Sequence, residues 1–129
     1  MSLTGFYAAL FGALFVMLSV RVVWLRTRRG ISLGSGGDQV LERAQRVHSN
    51  FAEYVPFTLL LVFFFETATQ LRGWTHVFCI ALLVGRMLHA YGLTRDSLSC
   101  RTAGMALTLA VIVAASVGLL VFHVHFMAT

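Results

Sequence analysis

Between Arg43 and Phe57 the chain reads RAQRVHSNFAEYVPF, a dense set of cations, a carboxylate, an amide and an imidazole just where the sequence turns apolar. Successive residues of a helix rotate by roughly 100°, so Arg46, Asn50 and Glu53, spaced four and three apart, fall in one narrow stripe. Arg43 and Glu42 flank it, and the stripe from Arg46 to Glu53 covers about two turns, roughly 10 Å. His48 points to nearly the opposite face, so one helix shows a charged stripe to one neighbour and an imidazole to another. Residue types alone leave two readings open. Glu42 and Arg46 form an i,i+4 pair of the kind that decorates many helices, and arginines at a membrane boundary can be snorkelling anchors. Glu53 favours a ligand site, because it lies a turn or more into the apolar stretch, where a carboxylate without a partner is costly.

A second cluster follows in GRMLHAYGLTRD, residues 85–96. Arg86, His89 and Leu93 share a helical face, and Gly85 and Gly92, seven apart, permit close approach of another helix.

These clusters need elements to carry them. The 129 residues read as one domain, 58% hydrophobic and 12% charged, against about 25% charged in an ordinary soluble domain. A water-soluble protein of this size could not hide so much apolar surface. The uncharged runs Leu3–Val20 and 102–129 each suffice to cross a core that needs roughly 20 apolar residues. The first run has arginines after it rather than before it and reads as a retained helix, not a secretory signal. Four transmembrane helices are expected, over about 3–26, 39–68, 74–94 and 102–127: an all-α integral membrane bundle. The first connection, TRRGISLGSGGD, lacks the strand and Gly-Lys-Ser/Thr of a phosphate loop, and Asp38 is placed to cap the second helix.

The net charge of +5 is due to arginine alone, since the chain has no lysine. Such a balance in a membrane protein points to orientation and anionic headgroups rather than nucleic acid. Arg21, Arg26, Arg28, Arg29, Arg43 and Arg46 cluster about the first connection, and Arg86, Arg95 and Arg101 about the third. Only Arg72 lies on the other side. This asymmetry predicts that both termini face away from the cytoplasm and that the charged cluster faces it. Cys79 reads as a small core hydrophobe and Cys100 as a free thiol. The two histidines of HVH, His123 and His125, lie on different helical faces, so no metal site is expected.

The stretch at the start of the second helix resembles the signature of the MAPEG proteins (membrane-associated proteins in eicosanoid and glutathione metabolism). That signature, Glu-Arg-x-x-Arg-x-x-x-Asn-x-x-Glu followed by Pro-Phe, stands complete as Glu42, Arg43, Arg46, Asn50, Glu53, Pro56 and Phe57. VGRMLHAYG resembles the family's third helix, and the likeness extends over essentially the whole of residues 1–129, closest to the small bacterial inner-membrane branch. The resemblance implies a homotrimer of four-helix bundles that binds glutathione between subunits near the cytoplasmic face. It implies that Arg46, Asn50 and Glu53 hold the tripeptide's charged ends and backbone, with Glu53 a partner for its amino group. It places His48 at the adjacent interface, matches Tyr54, Arg86 and His89 to ligand-lining positions, and sets Arg26 beside an arginine near the end of helix one. Arg101 stands, with a one-residue shift, where the family has its catalytic arginine. Two positions depart from the pattern: Leu93 where a tyrosine is common, with Tyr91 on another face, and Ser49 where some members carry a further arginine.

The function so implied is a membrane glutathione transferase, with hydroperoxide reduction as a second expected reaction and an apolar or lipid molecule as second substrate. The rival reading is a non-catalytic membrane scaffold that binds lipid or glutathione. A proton-coupled exporter of four helices fits less well, because the first helix carries no acidic residue.

Overall fold

Side chains that can accept a hydrogen bond sit just ahead of three apolar runs, and each starts a helix. The computed structural model describes residues 2–128, among which α1 spans Leu3–Arg29, α2 Gln39–Thr69, α3 Arg72–Arg95 and α4 Leu98–Met127. The Ser2 hydroxyl accepts from the Gly5 N–H at 3.2 Å, and the Asp38 carboxylate from the Leu41 N–H at 2.8 Å. Ser97 accepts from the Cys100 N–H at 3.5 Å. These caps satisfy donors that the first turn cannot pair. At the end of α1, Gly30 takes φ 65°, a left-handed conformation that costs glycine little, and the Ile31 N–H returns to the Arg26 carbonyl at 3.1 Å.

All four helices are long and apolar enough to cross a membrane, and the fold is an all-helical membrane bundle. At 24 to 31 residues each, they run about 36–46 Å, beyond a hydrocarbon core of about 30 Å. Helix α4 begins at Leu98 rather than near residue 102. Hydropathy alone undercounts its polar first turn, which Ser97 caps, and Arg101 thereby lies one turn inside the helix.

Helices α3 and α4 pack most extensively; α2 contacts all three others, and among the described residues α1 and α4 do not touch. Three glycines set the α3–α4 crossing. A Cβ on Gly104 would lie 2.5 Å from the Gly85 carbonyl oxygen, and one on Gly92 2.5 Å from the Arg101 nitrogen, so the two backbones are in near contact. One core joins Phe11, Phe51, Val55, Val62, Phe78 and Leu82 at the middle of the bundle. Most of the apolar surface faces outward: only 11% of the span window in α1 and 17% in α4 is buried. That inversion suits a lipid solvent, where apolar side chains gain nothing by hiding.

At the end of the bundle away from the cleft and its arginine cluster, α1 is tied to α2 by Glu66. Its buried carboxylate accepts from the Leu3 N–H at 2.6 Å, the Thr4 N–H at 2.8 Å and the Ser2 hydroxyl at 3.0 Å. Beside it the Tyr7 hydroxyl and His76 Nδ1 share a 2.9 Å hydrogen bond.

Candidate functional site

Helix periodicity puts the α2 stripe on one face, and the packing supplies the walls opposite. Arg46, Asn50 and Glu53 of α2 line an open cleft of about 530 Å³ together with Glu42, Gln45 and Ser49. His89 and Leu93 enter from α3, and Arg101 and Met105 from α4. Each pair is four residues apart, so each helix offers one face. Helix α1 contributes nothing to this cleft.

The charges within it are incompletely matched. Arg46 donates from Nε and Nη2 to the Glu42 carboxylate at 3.2 and 2.9 Å, on an exposed part of α2. Among the described residues, no ion pair engages Glu53 or Arg101, and both are exposed to the cleft. A free carboxylate and a free guanidinium facing one cavity suit a ligand that carries both signs of charge. His89 is buried, and its Nδ1–H donates to the Arg101 backbone carbonyl at 3.2 Å. A carbonyl oxygen only accepts, so Nδ1 of the ring carries a proton. The same bond ties α3 to the first turns of α4, where Arg101 adds its charge to the positive end of the helix dipole.

Behind the cleft lies Arg86, 4% exposed. Its Nη1 donates to the Asn50 side-chain oxygen. Its Nη2 donates to the Thr108 hydroxyl at 2.6 Å and the Gly104 carbonyl at 3.4 Å. The guanidinium also lies 5.4 Å from the Tyr54 ring centre, a cation–π contact. Arg86 and Tyr54 therefore back the cleft rather than line it.

Two expected site residues lie elsewhere in the single chain. His48 is on the far side of α2, its Nε2 2.9 Å from the Ser19 hydroxyl of α1 and its ring stacked on Phe15 at 4.9 Å. Arg26 donates to the Ser32 carbonyl at 3.1 Å at the end of α1. Arg43 of the signature reaches Asp96 at 3.2 Å and the Thr94 carbonyl at 3.4 Å, bracing α2 against the end of α3. Sequence reasoning missed Met105 and Thr108 because nothing in an apolar helix marks which face meets a neighbour. It also passed over Gln45, although i,i+4 spacing to Ser49 would have marked it.

A larger apolar groove of about 1210 Å³ runs along the outer half of α4, between Phe65, Trp74 and Phe78 on one side and Val113, Val117 and Val121 on the other. It begins at Ala106, the residue after Met105 of the cleft.

The sequence model of the MAPEG family matches residues 4–121. The chain is also 34% identical over 105 residues to inner membrane protein YecN of Escherichia coli K12, across 81% of this chain and 80% of that protein. The YecN of E. coli strain O6:H1 matches to the same extent.

Proposed function

This chain belongs to the MAPEG family, and from that premise we propose that it is a glutathione transferase of the inner membrane that also reduces hydroperoxides. The observation that carries the reading is the convergence of Arg46, Asn50, Glu53, His89 and Arg101 on one cleft. Glutathione is a tripeptide with two carboxylates, one ammonium group and a thiol, and this set answers each in kind. Glu53 takes the ammonium group, while Arg46 and Asn50 take carboxylate and backbone acceptors. Arg101 faces the sulfur.

A free thiol has a pKa near 8.5. A guanidinium beside it favours the thiolate, and each unit of downward shift corresponds to about 1.4 kcal/mol. Arginine suits the task because it stays protonated and offers several donors. The thiolate sulfur then forms a C–S bond with an electrophilic carbon, and the leaving group departs with the electron pair. With a hydroperoxide, the sulfur attacks the terminal oxygen, the O–O bond breaks, and the alkoxide takes a proton to leave as an alcohol. A second glutathione displaces water from the sulfenic acid and completes the disulfide. The apolar groove beginning beside Met105 supports an apolar partner that arrives from the lipid.

The cleft has three helical walls and an open side, while His48 and α1 occupy the other face of α2. That arrangement supports a homotrimer in which one subunit's α1–α2 face closes the next subunit's cleft.

The deciding experiment mixes purified protein with glutathione at neutral pH and follows thiolate absorbance in the ultraviolet. A stoichiometric thiolate signal that Arg101→Ala abolishes is expected. Binding without thiolate would instead favour a scaffold, and absence of binding at millimolar glutathione would end the glutathione reading.

A further inference from the structure

Arg86 is almost wholly buried, yet among the described residues its two Nη groups meet only neutral acceptors, the Asn50 amide, the Thr108 hydroxyl and the Gly104 carbonyl, and its Nε has no hydrogen-bond partner. A buried cation held by neutral dipoles is stable only if those dipoles are oriented for it. The consequence falls on Asn50. A guanidinium can only donate, so it must face the amide oxygen, never the amide nitrogen. Asn50 touches both the small pocket it shares with Arg86 and the open cleft. Thr108 is itself held, donating to the Gly104 carbonyl at 2.9 Å, so the cradle around Arg86 is anchored in α4.

We propose that Arg86 is a positioning residue that fixes the Asn50 amide with its oxygen inward and its NH2 turned to the cleft, so that the cleft presents a donor, and demands a ligand acceptor, at that point. An asparagine free to rotate could greet either an ammonium group or a carboxylate; this one cannot. Arg86 thereby selects a carboxylate or peptide carbonyl of the ligand for Asn50 and leaves the ligand's ammonium group to Glu53. The inference deepens the glutathione reading and rests on it for the identity of the ligand, but the orientation of Asn50 stands on Arg86 alone.

The test compares Asn50→Asp and Asn50→Ala with the unaltered protein in detergent, by thermal unfolding and by glutathione titration. Aspartate keeps the inward acceptor and gives Arg86 an opposite charge, but it turns an anionic oxygen to the cleft. Asn50→Asp is expected to melt at or above the unaltered protein while glutathione binding weakens by about tenfold or more. Asn50→Ala leaves the buried Nη1 of Arg86 without its acceptor and is expected to melt below both. A residue that merely filled space would lose stability and binding together in the two variants. An Asn50→Asp protein that binds glutathione as tightly as the parent, or that melts as low as Asn50→Ala, overturns the proposal. Should the unaltered protein bind no glutathione, the ligand reading falls by itself. The melting order then still decides the clamp, and any order other than aspartate at or above asparagine, with alanine lowest, refutes it.

Discussion

Two glutamates of α2 lie in or beside apolar sequence, and their surroundings separate them. Glu66 is buried and accepts three hydrogen bonds from the start of α1, so its charge is consumed by structure. Glu53 is exposed to the cleft, and no ion pair engages it among the described residues. Opposite effects follow on substitution. Glu66→Ala should lower stability by about 3 kcal/mol or more, because two N–H groups at the α1 terminus lose a charged acceptor. Glutathione affinity, measured by calorimetry in the same detergent, should stay within error of the parent, since the cleft is at the other end of the bundle. Glu53→Gln should leave the thermal midpoint nearly unmoved and weaken glutathione binding by about tenfold. Equal affinity in parent and Glu53→Gln would remove Glu53 from the site.

Among the elements, the α3–α4 crossing decides whether the cleft exists at all. His89 and Arg101 meet across it, and Arg86 reaches Thr108 through it. Both depend on the close approach that Gly104 allows, where a Cβ would sit 2.5 Å from the His89 nitrogen. Gly104→Ala must push the helices apart, at a cost of about 1–3 kcal/mol. Both the thermal midpoint and ligand binding should fall in that variant. Gly12 of α1 is the control, because a Cβ there meets nothing within 4 Å. Gly12→Ala should be neutral or slightly stabilising, as alanine is the better helix former. If both variants melt alike, the glycines of α3 and α4 are not what holds the crossing together.

The bundle as a whole presents apolar surface over nearly all of α1 and α4, and a polar cleft open on one side. The arginine asymmetry predicts that a phosphatase fused after Thr129 is active and that a fluorescent protein fused there is dark. The reverse pattern would place the cleft on the outer face, away from cytoplasmic glutathione. The proposed homotrimer predicts three chains per particle by light scattering in mild detergent. Monodisperse single chains that still bind glutathione would show that one subunit's cleft suffices.

Four helices and the charged stripe of α2 were legible in the sequence, because hydropathy and a 3.6-residue period are written within each element. The resemblance carried by Glu42, Arg43, Arg46, Asn50 and Glu53 rested on a single helix for the same reason. What lay across elements was not legible. Nothing local tells that Glu66 would cap a helix that begins 63 residues earlier, or that Arg86 would turn behind Asn50 instead of into the cleft. Nor does it tell that Ser97 would start α4 early enough to set the Arg101 carbonyl against His89. Those outcomes depend on how closely and at what rotation the helices cross. Backbone contact at Gly85, Gly92 and Gly104 sets that geometry, and only the tertiary structure brings the three together.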